Sequence, residues 1–495
     1  MNKHYKVLAV SMLATAIGGC AVTSQPIERA ASEQRAQADL ASMFSGQEPL
    51  SAPLTLHQAM ARAVKYNLEA RLKVMEEALA ERQVDLSRLD MLPRMALDAG
   101  YTGRNNVSAS SSRSISTGTQ SLEPSTSQDR DREVGDLTMV WNVLDFGVSY
   151  VSAQQQGDQR LIVQERRRKV LHTIIQDVRS AYWRALAAER LLVQIDQQMV
   201  RVDQARQNSL RMSEQRIGDP VQSLGYQRAL IEATRQLEQQ RRALSLAKTE
   251  LAALINLPMN TRFELAPASD SYPVPTLATD LAVLEQEALI NRPELREQDY
   301  QARIGAAETR KAMLRMLPGL EFSLGGHYDS NSFLTNQSWA DYGVKVTWNL
   351  FNLLSAPAAI DAAKASEDVV TLRRQAMSMA ILAQLYVANA NFQEAARQFS
   401  TSEQLASLDQ QIAEQLRNRH KAQGIGELEL IQGELNLLQA NLRRDLAYAD
   451  LRNAYGQVFA SVGHDPLPEE LGSDQLDDIA QALASREAEW QAGKL

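Results

Sequence analysis

The side chains of this 495-residue chain that could do chemistry are six histidines, one cysteine and many carboxylates. His4, His57, His172, His327, His420 and His464 are scattered and show no metal-ligand spacing. No GxSxG, Walker A or HExxH pattern occurs, so no nucleophile elbow, phosphate cradle or zinc-bound water is expected. The carboxylates fall at helix-surface spacing. We therefore expect no enzyme, no cofactor and no metal site. Cys20 is different. It is the only thiol, which excludes an internal disulfide, and it follows Lys3, Lys6, an apolar stretch from Val7 to Ile17 and Gly18-Gly19. These are the n-region, h-region and small-residue cleavage site of a secretory signal. The apolar stretch is too short to span a bilayer, which takes about 20 residues.

The segment AIGGC resembles a bacterial lipoprotein signal, in which the cysteine becomes the acylated first residue. That resemblance implies a signal peptide over 1–19, a tether over 20–53 and lipidation at Cys20, which anchors a chain to a membrane without spanning it. Ala21 in place of Asp implies sorting to the outer membrane. The alternative is a free thiol inside an ordinary signal. After the signal no run of 18 apolar residues occurs, so a bilayer crossing by the mature chain would use β-strands.

The elements that must position these residues come from composition and repetition. Aromatics are only 5%, and Ala, Leu, Gln, Glu and Arg dominate, which is the signature of long helices with coiled-coil packing. The net charge of −8 is spread through interspersed acids and bases, which argues against nucleic acid as a partner. Arg166-Arg167-Arg168-Lys169 sits inside a helical pattern and reads as a solvated or subunit-facing patch.

The chain is duplicated. Met91-Leu92-Pro93 returns as Met316-Leu317-Pro318, an offset of 225; WNVLDFG from Trp141 returns as WNLFNLL from Trp348, an offset of 207. Gly218 in RIGDP matches Gly424 in AQGIG at an offset of 206. We expect a first repeat over 54–264, a Pro-rich connector over 265–279, a second repeat over 280–465 and a C-terminal segment over 466–495. Each repeat reads helix, strand, loop, strand, very long helix, break, return helix. The helix from about Ser149 to Ile217 would be roughly 100 Å long, and the one from about Ala358 to Gln423 is similar. Gly218 and Pro220, and then Gly424 and Gly426, supply the reversals. Pro93 and Pro318 mark the helix-to-strand junctions, because proline disfavours helical geometry before it and cannot donate to the ladder.

The expected strands are about 94–103, 136–143, 319–328 and 340–350. They alternate apolar and polar residues and carry Tyr101, Trp141, Tyr328 and Trp348 near their ends, as membrane β-strands with an aromatic girdle do. A pair of hairpins in a soluble β-domain is the alternative. Four strands are too few to close a membrane barrel, which takes at least about 8. Open edges are not tolerated in lipid, so other copies of the chain must complete it.

The duplication, the Leu-Pro junctions, the WNVLDFG and WNLF segments and the glycine turns before ELELIQGELNLLQA resemble the TolC-type outer membrane efflux channels, in particular their lipoprotein branch (OprM/CusC-like). The resemblance implies a homotrimer in which four strands per chain contribute to one shared transmembrane β-barrel, with long antiparallel helical hairpins forming a periplasmic α-barrel. It implies an exit duct lodged in outer membrane lipid, served by a periplasmic adaptor and an inner-membrane pump of RND or ABC type. It places a periplasmic gate at Asp219, Glu427 and Glu429, and adaptor contact at the turns with Gly218, Pro220, Gly424 and Gly426. Helix-N-terminal acids favoured by the dipole would explain the same carboxylates. A trimeric or envelope-spanning stalk without transport is the competing function. The resemblance does not reveal the cargo.

Overall fold

In the computed structural model, residues 26–50, 52–215, 219–266, 272–468 and 472–494 are described. Cys20 and Gly218 lie outside these residues, so the lipid anchor and one glycine turn do too. The first half runs α1 (Arg29–Met43), α2 (Leu56–Tyr66), α3 (Leu68–Leu89), β1 (Arg94–Gly103), β2 (Ala109–Ser110), β3 (Ser125–Thr126), β4 (Asp131–Asn142), α4 (Val143–Glu214), α5 (Pro220–Ser245) and α6 (Ala247–Leu254). The second half repeats the order with α7 (Leu281–Asn291), α8 (Pro293–Leu314), β5 (Gly319–Asp329), β6 (Ser338–Thr347), α9 (Phe351–Lys421) and α10 (Glu427–Val462). A further helix, α11 (Leu476–Gln491), follows. The long helices, the four-stranded antiparallel sheet and the duplicated order are those expected from the sequence.

Local chemistry explains why each repeat switches between helix and strand where it does. After α3, Met91 N–H donates to Arg88 O and Leu92 N–H to Leu89 O; after α8, Met316 donates to Met313 O and Leu317 to Leu314 O. Both helices thus end in the same tightened turn before the proline. At the other end of each hairpin the Trp-Asn pair starts the long helix. Asn142 Oδ1 accepts from the backbone N–H of Leu144 at 2.9 Å and of Asp145 at 3.4 Å, and Asn349 Oδ1 accepts from Phe351 N–H at 3.2 Å. Asn142 is the N-cap of α4, whereas Asn349 precedes the N-cap Leu350 of α9; both helices start earlier than expected, α4 at Val143, and α9 at Phe351 with Pro357 inside it. That proline costs α9 one ladder hydrogen bond.

At 72 and 71 residues, α4 and α9 are each roughly 105 Å long. They occupy different places. Helix α4 packs against α3, α8, α10 and α5, whereas α9 packs against α7, α8 and α10. The sheet has the same form, with order β1-β4-β5-β6 and every neighbour antiparallel. At the levels of sheet, upper helices and lower helices, the chain is an open arc. First-repeat elements (β1, α3, α5) stand at one end and second-repeat elements (β6, α9) at the other.

The core lies where the helices pass between these ends. Ile174, Val178, Ala181, Ala185 and Leu186 of α4 meet Met60 and Ala63 of α2, Leu251 of α6, and Ile479 and Leu483 of α11. A second cluster joins Leu385, Phe392 and Phe399 of α9 to Tyr448, Tyr455 and Phe459 of α10 and to Trp490 of α11. The sequence reads the region after Pro468 as a short acidic segment; instead α11 buries Leu476, Ile479, Leu483 and Trp490, and Trp490 stacks flat on Phe459 at 4.7 Å. Its two first-turn acids, Asp477 and Asp478, hide this apolar stripe.

Candidate functional site

The sheet has two chemically opposite faces, because register carries each strand's alternation into the next. Opposite one another on one face stand Met95, Met139, Leu324 and Tyr342, and beside them Leu97, Leu137, Gly326 and Ala340. Trp141, Phe322 and Val344 continue this apolar face, most of it exposed. The other face carries Arg94, Asp98, Arg132, Asp136, Glu321, His327, Asp329, Asp341 and Lys345. Ten residues of β1 extend about 33 Å, enough for the roughly 25 Å apolar band of a tilted membrane strand. Tyr101 and Tyr328 lie on the apolar face at the end remote from the helices. Trp141 and Trp348 lie at the helix end, where Trp348 Nε1 donates to Met316 O at 3.0 Å. β4 begins at Asp131, before the expected 136, and β6 covers Ser338–Thr347 in place of 340–350.

The two junction prolines are equivalent but staggered. Arg94, just after Pro93, stands opposite Val140, which stands opposite Ser323; Gly319, just after Pro318, lies four residues further toward the helices. The same four-residue stagger separates Trp141, level with Val344, from Trp348. A uniform stagger between repeats is what strands tilted in a closed barrel require.

At the far end of the helices lie the turns. Asp219 is the N-cap of α5, its Oδ1 accepting from Val221 N–H at 3.0 Å, with Pro220 in the first turn. Gly426 is the N-cap of α10, and Glu427 and Glu429 occupy its first turn. Burial and the nearby Glu427 carboxylate push the Tyr226 phenol of α5 up, so the tips of the two repeats meet there. The left-handed residue of the second turn is Gln423 (φ 58°), not glycine. Gly424 N–H reaches back to Arg419 O at 2.8 Å and Gln423 N–H to His420 O at 2.9 Å. That is the Schellman pattern with glutamine where glycine is usual.

Above this turn is a cluster that sequence reasoning missed. Glu434 of α10 is buried and accepts from Gln198 and Arg201 of α4 and from Arg417 of α9, the last at 3.0 Å. Burial alone would raise its carboxyl; the three donors hold it below the usual range. A cavity of about 340 Å³ beside it is lined by Gln194, Gln197, Gln198 and Gln410. Nothing in QGELNLL separates this glutamate from its exposed neighbours, since its partners lie on two other helices.

A second buried cluster fastens α11. Glu487 receives Arg452 Nη2 at 2.7 Å and His57 Nε2 at 3.2 Å, with Arg179 Nη2 at 3.7 Å. Desolvation opposes its charge, yet His57, Arg179 and Arg452 hold it down to about 2. A Cβ on Gly456 would overlap the Arg179 guanidinium. The basic run 166–169 is not a free patch. Arg166 pairs with Glu297, Arg167 with Glu77, Arg168 with Asp465 and Lys169 with Glu294, so it fans from α4 onto α3, α8 and the segment after α10.

No known protein family matches the sequence, and no curated relative does. Solved structures do. The chain is similar to the Campylobacter jejuni CmeC outer membrane channel, with TM-score 0.65, 12% identity, and 85% of this chain and 90% of that chain covered. It is similar to CusC, described for its folding and transmembrane channel formation, with TM-score 0.64, 17% identity, and 85% and 96% covered. The open state of the Neisseria gonorrhoeae MtrE outer membrane channel gives TM-score 0.60, 18% identity, and 81% and 88% covered. The chain has the TolC-type outer membrane channel fold. Among the described residues no helix is long and apolar enough to cross a membrane.

Proposed function

We propose that the chain is an outer membrane channel of an efflux or secretion system, passively carrying substrate from the periplasm to the exterior. Three copies would join head to tail, β6 of one against β1 of the next, giving twelve strands with the apolar face in lipid and the polar face around the pore. The observation that carries this reading is the open arc. Sheet and helices both stop at the same two ends, and the sheet joins an exposed apolar face to a charged one. A stalk needs neither.

Cys20 would anchor each copy to the membrane by acylation. The tip with Asp219, Glu427 and Glu429 would be the gate, repeated by symmetry into negative rings that attract cations. Glu434, bound to α4 and α9 at once, would hold the helix pairs together above it. A periplasmic adaptor docking near Gly218, Pro220, Gly424 and Gly426 would splay those pairs, and an inner-membrane pump of RND or ABC type would supply the energy.

Conductance of purified protein in planar bilayers tests the channel. Low conductance is expected for the unmodified chain and a clear increase for Glu427→Gln with Glu429→Gln. If no pore appears even then, the reading fails. Glu434→Gln should also raise open probability, because Arg201 and Arg417 then face a neutral partner.

A further inference from the structure

The polar face of the sheet holds a built cluster that neither the helices nor the tip uses. His327 of β5 stands opposite Asp136 of β4 and Trp339 of β6. Its Nδ1 donates to Asp136 Oδ1 at 2.6 Å, and its Nε2 lies 3.1 Å from Asp341 Oδ2. The ring stacks on Trp339, centroids 5.2 Å apart and planes at 21°. Gly325 makes the room: a Cβ there would overlap the imidazole and come within 2.6 Å of Asp341 Oδ1. An imidazole facing a carboxylate at each nitrogen can donate to both only when protonated.

Two carboxylates flank this histidine, and a third, Asp98 of β1, stands beside Asp136 on the far side of β4. The other charged groups on this face lie toward its two ends. Asp329 of β5 binds Arg132 of β4 at 3.1 Å toward the loops. Glu321 of β5 stands opposite Lys345 of β6 toward the helices, where Arg94 of β1 also lies. Among the described residues, the middle of the face is thus an acidic band whose counter-charge is an ionisable ring.

We propose that Asp98, Asp136, His327 and Asp341 form a titratable belt inside the pore that sets its ion selectivity independently of the tip. With His327 neutral, each copy presents three negative charges and the belt favours cations, as rings of acidic side chains do. Protonation of His327 cancels one of them and weakens that preference. Histidine is the side chain whose ordinary titration falls between pH 5 and 8, so the belt responds to the medium outside the cell. This inference rests on the channel reading, because only a closed barrel turns the polar face into a pore wall.

Reversal potentials in a KCl gradient test it, using the full chain with Asp219→Asn, Glu427→Gln and Glu429→Gln so that the tip acids do not mask the belt. The K⁺/Cl⁻ permeability ratio should fall about fivefold from about pH 8 to about pH 5.5, the size expected of one charge in each of three copies roughly 10 Å from the ion and screened over about 10 Å, acting oppositely on the two ions. His327→Gln should flatten that profile at its high-pH level, and Asp341→Asn should lower the ratio at pH 8. An open His327→Gln pore with the original pH profile overturns the inference. If that variant does not assemble, Asp341→Asn decides, and an unchanged ratio at pH 8 overturns it. Absence of any pore with the belt intact overturns the channel reading, and the inference falls with it.

Discussion

Helices α4 and α9 are the same element built twice, and their surfaces have diverged in opposite directions. At the offset of 207 set by the two Trp-Asn pairs, Ile174, Val178, Ala181 and Ala185 correspond to Ile381, Leu385, Ala388 and Phe392. All eight are buried, so one face of the helix keeps its role in both repeats. A neighbouring column does not. Glu165, His172 and Arg179 of α4 are covered and ion-paired, with Arg168, Asp465 and Glu487 respectively. Their counterparts Leu372, Met379 and Tyr386, seven residues apart, are 65%, 69% and 51% exposed. The first copy has charges matched by its own chain; the second has a heptad-spaced apolar column with little of its own chain against it. The difference is what a duplicated unit with a neighbour on both sides would produce. For α4 that neighbour is the second repeat, and for α9 it would be the next copy.

The sharpest way to break this comparison is to place charge in the exposed column. Leu372→Glu with Met379→Glu should abolish oligomer formation, read by light scattering, while leaving the helical circular dichroism of the chain in place. If the oligomer persists, α9 is not the seam. The buried column should respond oppositely. Glu487→Gln leaves Arg179 and Arg452 without a counter-charge and should destabilise the chain by about 3–5 kcal/mol in denaturant unfolding.

Acid should loosen the same column before the exposed one. The Glu487 carboxyl is held down to about 2 from 4.5, so its contribution is complete above about pH 4.5 and is lost as pH falls toward 2. Linkage makes that loss on the order of 3 kcal/mol. Denaturation midpoints measured across that range should fall in the wild type and stay flatter in Glu487→Gln. The smallest effect belongs to the turn that ends α9. Gln423→Gly should stabilise the tip by about 1 kcal/mol by relieving a left-handed non-glycine residue, seen as slower amide exchange over 419–426. No change there would mean that the turn carries no strain.

Much of this molecule was legible as a string. The two Met-Leu-Pro stops are local devices, prolines that cannot continue a ladder; the two Trp-Asn pairs were legible only as markers of the repeat, with the helices expected from about Ser149 and Ala358. The proline stops act within a few residues, so they could be located without knowing what packs on them. Alternation likewise marked four strands, because side-chain period is a property of the backbone. What was hidden involves partners distant in sequence. Glu434 looks like any helix-surface acid until α4 and α9 bring Arg201 and Arg417 to it. His327 looks like an isolated histidine until pairing with β4 and β6 places Asp136 and Asp341 at its two nitrogens. The run 166–169 looked free because its four carboxylate partners are spread over three other segments.

The sequence by itself therefore determined the duplicated plan, the approximate lengths of α4 and α9 and the points where helix yields to strand, since each depends on propensity and proline within a few turns. Only the tertiary structure decided that β4 pairs with β5. That pairing joins the repeats into one arc, staggers them by four residues and leaves β1 and β6 open. Which edges meet depends on register and packing across the whole chain, and no local stretch carries that information.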